Sequence, residues 1–263
     1  LEHDIKVRLL DRSPQGVTPT EPGRILYRHA RVILRQFEDA RLNVSDAHQT
    51  LKGHVRVGLT AWSTASMLGD RLITTVLDEH PGILLQVCDT FPVPLSEMVL
   101  KGGLDMAYFY GGITVRGLAL QPCGQERFVL AAPEGLVPNS AGGRIDVDML
   151  ADVPLIMPPA ESFQRQMVDR AVAGVGRRAM VRAEVYTLEM AVRLMQQGVG
   201  GVVVPRAVAE DLSRRVQLVR LDLPPEMSLP LAVCTSEADP MSNAALAVHG
   251  ILQRLIADTA LPG

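Results

Sequence analysis

The regular change between short apolar runs and helical stretches from Gly53 onward restricts the fold more than any other feature of the sequence. Residues 54–59 alternate like a strand, residues 65–80 have a helical pattern, and an apolar run follows over 83–89. Strands separated by helices are typical of an open α/β sheet. Further strands are predicted at 104–110, 128–132, 155–157, 181–186, within 198–205 and at 229–234, with helices at 95–102, after 161, at 187–197 and at 243–258.

Composition excludes several classes of protein. The 263 residues exceed the usual size of one domain, and 47% hydrophobic with 21% charged residues is ordinary for a protein with a well-formed core. The net charge of −3 gives no signal for nucleic acid over the whole chain. The cysteines, at 88, 123 and 234, lack the spacing of a disulfide framework or a zinc site, so a reduced, cytoplasmic setting without metal or cofactor is expected. No apolar run reaches the roughly 18 residues of a membrane span.

A long helix is predicted after Thr20, which can cap the first turn. Its apolar residues alternate in steps of four and three, as at the seam of a coiled coil; they are Leu26, Ala30, Ile33, Phe37, Ala40 and Val44. This pattern favours pairing with the same helix of a second copy. The alternative is an amphipathic helix packed on its own domain, because Ile25 and Leu34 widen the apolar face.

Several short motifs, in order over nearly the whole chain, give the sequence a resemblance to the LysR-type transcriptional regulators. They are Leu1-Glu2, residues 7–12, Thr20-Glu21 with Gly23, and residues 53–58, 81–83, 103–107 and 197–205. Residues 1–20 resemble the end of the recognition helix and the wing of a winged helix-turn-helix, the rest of which is expected to precede Leu1. Lys6, Leu10, Pro19 and Pro22 depart from the family pattern within the wing and at the start of the helix.

The resemblance implies an α/β fold of two Rossmann-like subdomains of periplasmic-binding-protein type, preceded by the partial wing and a linker helix. The expected divisions are the wing at 1–20, the linker and dimerisation helix at 21–52 and an effector-binding domain at 53–263. Within that domain, subdomain I covers 53–125 and 234–263, and subdomain II covers 126–233. The implied crossovers lie near 124–127 and 232–234, and the implied assembly is a homodimer or homotetramer.

Candidate effector contacts follow from the fold, because ligands bind at the carboxyl ends of strands in open α/β sheets and anions favour helix N-termini. These candidates are Trp62, Ser63, Thr64, Tyr108, Tyr110, Ser162, Thr187, Val204 and Pro205. A small-molecule effector is expected, with anions among the candidates. For each hydroxyl the alternative is a cap on its own helix, and for Trp62 it is a place in the core.

The predicted wing supplies the candidate DNA contacts. Arg12, Ser13 and Gln15 lie at the expected hairpin tip or beside it, where a winged helix meets the DNA backbone or minor groove. The alternative for Arg12 is a salt bridge that holds the wing against the linker helix. The residues that read bases are expected before Leu1, so this chain alone is expected to bind DNA poorly.

The predicted function is therefore a DNA-binding transcriptional regulator controlled by a small molecule. An enzyme is not indicated, because no nucleophile elbow, P-loop, metalloprotease motif or paired carboxylates are found. The Gly-Val-Gly of residues 174–176 follows a helix, the reverse of the context needed for a dinucleotide site. The alternative is a solute-binding protein with the same two lobes, which the wing-like residues and the long helix argue against.

Overall fold

The computed structural model describes residues 1–44, 51–110, 115–137 and 143–260. Within these ranges the side chains at 28, 31, 32, 35, 36, 38–44 and 260 are not described. The N-terminal part contains the short helix α1 (Glu2–Ile5), the hairpin of β1 (Leu10–Ser13) and β2 (Gly16–Pro19), and the long helix α2 (Glu21–Val44). The hairpin lies within the segment expected to be the wing, and α2 begins where the linker was expected to begin; residues 45–50 of that expected linker lie outside the described residues.

The start of α2 is fixed by the residues that the sequence indicated. The Thr20 hydroxyl oxygen accepts a hydrogen bond from the Gly23 amide at 3.1 Å and donates one to the Arg8 carbonyl at 2.7 Å. A Cβ on Gly23 would lie 1.9 Å from the carbonyl oxygen of Leu9, so only glycine lets the helix approach the wing this closely.

The globular part begins with alternating strands and helices. In chain order they are β3 (Gly53–Thr60), α3 (Thr64–Met67), α4 (Gly69–Glu79), β4 (Ile83–Thr90), α5 (Pro92–Leu100), β5 (Met106–Tyr110) and the long strand β6 (Leu118–Ala132). The helix expected over 65–80 is divided at Leu68, whose φ of −85° and ψ of 4° leave the helical path. Hydrophobic periodicity does not detect a break of one residue.

A second set of elements follows and then returns to the first. It comprises a 3-10 turn (Glu134–Leu136), α6 (Val147–Leu150), β7 (Leu155–Met157), α7 (Phe163–Gly174), β8 (Val181–Glu184), α8 (Leu188–Gln196), β9 (Val202–Pro205), α9 (Arg206–Leu212) and β10 (Val219–Asp222). The chain returns through β11 (Ser228–Ser236) and ends in α10 (Asn243–Ala260). Strand β10 and helix α6 were absent from the sequence prediction.

Strand pairing divides the globular part into two lobes. The first lobe has β4, β3 and β5 in parallel, followed by β11 and the first half of β6 in antiparallel pairing, and it includes α10. The second lobe has the second half of β6 between β9 and β10, with β7 and β8 parallel to each other. The amides of Ile156 and Gly201 join β7 to the segment before β9 through two backbone hydrogen bonds of 2.8 Å.

The two lobes share β6, which passes from one to the other at residues 124–127, the segment near which the family resemblance implies a crossover. The second crossing lies earlier than the expected 232–234, because residues 231–234 already pair with β5 of the first lobe. Helices cover both faces of the first-lobe sheet, and Leu59, like the three residues around it in β3, is buried. Among the described residues no helix is long and apolar enough to cross a membrane.

Candidate functional site

Trp62 joins the two lobes. It follows β3 of the first lobe, is 1% exposed, and packs in a buried cluster formed mainly by second-lobe residues such as Ile156 and Val185. Its indole Nε1 donates a hydrogen bond of 3.2 Å to the carbonyl of Tyr186, and its own carbonyl accepts one of 3.0 Å from Gln164 Nε2 of α7. Tyr186, which supplies the carbonyl, and Gln164, which supplies the side-chain amide, both belong to the second lobe. Separation of the lobes therefore breaks both hydrogen bonds.

The backbone of Trp62 has a φ of +65°, a left-handed conformation that is uncommon for a bulky residue. Such strain persists where surrounding contacts hold it, and it is concentrated at functional sites. A second aromatic contact reinforces the junction, because the rings of Phe91 and Tyr186 meet edge to face with centroids 5.7 Å apart. Trp62 is buried, as the alternative interpretation of a core position predicts, but the cluster that buries it lies between the two lobes.

Glu126 lies where β6 crosses between the lobes, and it is not among the contacts predicted from the sequence. Its Oε2 accepts a hydrogen bond of 2.5 Å from the Tyr110 hydroxyl, at the carboxyl end of β5. Burial raises the pKa of the Glu126 carboxyl, while Tyr110 and the hydroxyl and amide of Thr64 lower it. The same burial and the neighbouring carboxylate raise the pKa of the Tyr110 hydroxyl well above its ordinary range.

One oxygen of this carboxylate, Oε1, is buried and has no hydrogen bond of standard geometry in the described part of the chain. The donors of Thr64 face the carboxylate but do not complete such a bond to Oε1. A buried acceptor that lacks a well-formed hydrogen bond is costly, and the hydroxyl and amide of Thr64 supply the donors that lessen this cost here. The sequence signal for Glu126 was its charge within a predicted crossover, but the sequence did not show which way the side chain points.

Three of the four predicted serine and threonine hydroxyls cap their own helices. Ser63 accepts from the Ser66 amide at 3.1 Å, Ser162 from the Arg165 amide at 3.2 Å, and Thr187 from the Met190 amide at 3.3 Å. Ser63 and Ser162 are buried and Thr187 is exposed. The caps follow β3, β7 and β8, so they lie at the carboxyl ends of strands as expected.

Val204 and Pro205 end β9 and are buried in the second lobe. Tyr108, by contrast, lies inside the first lobe: its hydroxyl is 2.5 Å from Nδ1 of His249 in α10, and burial raises its pKa strongly. The structure thus brings Thr64 and Tyr110 together around Glu126, and Trp62 near the caps of the second lobe, but it separates Tyr108 from them.

The predicted wing residues are exposed in the hairpin of β1 and β2. Arg12 pairs with Val17 across the two strands, and the Ser13 hydroxyl oxygen accepts from the Gln15 amide at 3.3 Å. In α2 the side chains of Ile33 and Phe37 are 65% and 67% exposed, so the described residues leave this part of the seam uncovered. Leu26 and Ala30 are half-buried, and the side chains of Ala40 and Val44 lie outside the described residues.

Metal binding and thiol chemistry receive no support from the described residues. No group of three His, Cys, Asp or Glu side chains among them could hold a metal ion. Burial raises the pKa of the Cys123 and Cys234 thiols to about 11, so both are protonated at neutral pH.

Two lobes joined by crossing strands, with a long helix before them, define the fold of a two-lobed binding protein. The family model described as the LysR substrate binding domain matches residues 48–257. The chain therefore belongs to the LysR family of transcriptional regulators.

Individual relatives agree with this assignment. The chain is 33% identical over 263 residues to the nitrogen assimilation regulatory protein nac of Klebsiella aerogenes, covering 99% of this chain and 85% of that protein. The protein of the same name from Escherichia coli is 32% identical over 258 residues, with 97% and 83% covered. The fold is similar to that of full-length OxyR from Pseudomonas aeruginosa, with a TM-score of 0.73 at 20% identity and coverage of 97% and 82%.

Proposed function

We propose that this LysR-type regulator binds a small-molecule effector between its two lobes, and that the effector changes how the lobes meet. The observation that carries the proposal is the pair of hydrogen bonds made by Trp62 across the lobe junction. A ligand that favours one lobe arrangement shifts the population toward it. Because β6 and β11 connect the lobes, such a shift also moves the strands that hold Glu126.

The proposed effector contacts are grouped around the junction. Thr64, Tyr110 and Glu126 form its first-lobe side, and the residues that enclose it are Trp62, Ser63, Ser162, Thr187, Val204 and Pro205. An effector with a hydrogen-bond donor would satisfy Oε1 of Glu126, whereas a purely anionic one would face the carboxylate. Tyr108 acts as an internal contact to His249.

The test uses Thr64→Val, which removes the hydroxyl that faces Glu126 and keeps the branched shape. We expect effector-dependent transcription to be lost in the full regulator, because the effector loses a polar contact at the carboxylate. The matched control is Thr74→Val on the exposed face of α4, where induction should be unchanged. Retained induction in Thr64→Val would contradict the proposed site.

Trp62 provides a direct measurement, because it is the only tryptophan in the sequence. Its fluorescence reports the lobe junction, and a candidate effector that opens the junction should shift the emission to longer wavelength. A thermal-shift screen of small molecules can first select ligands, since binding to the folded state raises apparent stability. Ligands that bind with no change at Trp62 would argue against a site between the lobes.

Assembly and DNA contact complete the proposal. The regulator would act in the cytoplasm as a homodimer or homotetramer, without catalysis, with the seam of α2 pairing two copies and Arg12, Ser13 and Gln15 touching DNA. Exposure of Ile33 and Phe37 supports the pairing, since exposed apolar patches mark interaction sites. Phe37→Glu should lower the mass of the assembly measured by analytical ultracentrifugation, while Leu246→Glu at an exposed position of α10 should leave it unchanged.

A further inference from the structure

A groove separate from the lobe junction lies between α7 of the second lobe and the segment that enters β11. Its volume is about 500 Å³, within the range of small-molecule sites. None of the residues proposed above as effector contacts lines this groove. We call it the α7 groove.

The interior of the α7 groove is mainly apolar. Phe163 and Met167 line it from α7, where a spacing of four residues places them on one helix face. Met227 and Leu229 line it from the segment that enters β11 and from β11 itself. Methionine adapts its shape to apolar ligands, so the groove suits a branched aliphatic or aromatic group.

Two opposite charges also line the groove, and neither has an ionic partner within the part of the chain that the structure describes. Arg170, one turn beyond Met167, donates from Nη2 to the side-chain oxygen of Gln166 at 3.2 Å, and Glu226 lines the groove from the segment that enters β11. Both residues are exposed, and neither forms an ion pair with any other described residue. A carboxylate is the preferred partner of a guanidinium, and an ammonium is a partner for a carboxylate.

We propose that the α7 groove binds a small zwitterion with an apolar body, the chemistry of an apolar α-amino acid. Arg170 holds the carboxylate, Glu226 holds the ammonium, and the apolar residues of the groove receive the side chain. A ligand with one charge alone would leave one of these two residues without a partner.

The groove is also placed to influence the lobe junction. Leu229 is the direct cross-strand partner of Glu126, so their side chains lie on the same face of the sheet. Helix α7 carries both the groove residues and Gln164, which holds the carbonyl of Trp62. An occupant would therefore contact two elements that meet at the junction; this regulatory consequence rests on the proposed function, whereas binding itself does not.

Calorimetric titration of the chain with L-leucine and L-phenylalanine tests the proposal. Each is compared with the analogue that lacks the amino group, 4-methylpentanoate or 3-phenylpropanoate, and with the analogue that lacks the carboxylate, 3-methylbutylamine or 2-phenylethylamine. We expect at least one amino acid to bind, and its two analogues to bind about tenfold more weakly or worse. No binding of either amino acid, or equal binding of an analogue, would overturn the proposal.

Variants then locate the ligand. Arg170→Gln and Glu226→Gln, both at exposed positions, should each weaken binding about tenfold, and Arg178→Gln just beyond α7 is the matched control that should not. If Thr64→Val weakens amino-acid binding and the groove variants do not, the ligand occupies the lobe junction; the groove is then refuted and the proposed function is supported. If the groove variants weaken binding and Trp62 fluorescence stays unchanged on saturation, the groove is supported and its coupling to the junction is refuted.

Discussion

Substitutions at Trp62 test whether its cross-lobe contacts and its left-handed backbone contribute to stability as the structure implies. Trp62→Phe keeps an aromatic ring but loses the hydrogen bond from Nε1 to Tyr186. That bond contributes about 1 kcal/mol, and the smaller ring leaves a cavity that costs about another 1 kcal/mol. We therefore expect the free energy of unfolding to fall by about 2 kcal/mol.

Trp62→Ala and Trp62→Gly both remove the whole ring, at a cost of about 3–5 kcal/mol. They differ at the backbone, because alanine is strained at the φ of +65° and glycine is not. The strain is about 1–2 kcal/mol and the greater freedom of glycine in the unfolded chain offsets about half of it. The glycine variant should thus be more stable than the alanine variant by about 0.5–1 kcal/mol.

Urea unfolding followed by far-ultraviolet circular dichroism measures all four proteins without relying on tryptophan fluorescence. The expected order of stability is tryptophan, phenylalanine, glycine and alanine at position 62. An alanine variant at least as stable as the glycine variant would refute the left-handed backbone. A phenylalanine variant as stable as the parent would show that the bond to Tyr186 and the fit of the indole add nothing.

Three other measurements examine the site and its frame. Burial raises the pKa of the Glu126 carboxyl above its ordinary 4.5, so the native state binds this proton more tightly than the unfolded state does. The free energy of unfolding therefore falls as pH rises from 4.5 through the native pKa. Urea titrations across pH should show a smaller fall for Glu126→Gln, and a pH profile identical to that of the parent would count against the burial. Gly201→Ala should destabilise by about 1–3 kcal/mol, because its Cβ would lie 2.6 Å from the Cβ of Ala132, and an unchanged melting temperature would contradict that packing. The thiols of Cys123 and Cys234, with pKa values of about 11, should react slowly with a disulfide reagent at pH 7.5 unless urea is added.

The sequence determined the features whose partners lie nearby along the chain. The caps at Ser63, Ser162 and Thr187 each bind an amide three residues later, so spacing alone predicts them. The order of strands and helices, except β10 and α6, and the family motifs are local patterns of the same kind, whereas the hairpin before α2 was expected from the family resemblance. The course of β6 was predicted in part, because its crossing at 124–127 follows from the resemblance.

The tertiary structure decided the contacts that define the candidate site. Trp62 and the carbonyl it binds are 124 positions apart, and Tyr108 and His249 are 141 apart. Nothing in the spacing distinguishes Tyr110, which meets the buried Glu126, from Tyr108, which lies on the same strand and turns to α10. Which hydroxyl meets which partner depends on how strands and helices far apart in sequence pack together, because hydrogen bonds between distant segments form only where packing of the whole fold brings their groups within about 3 Å.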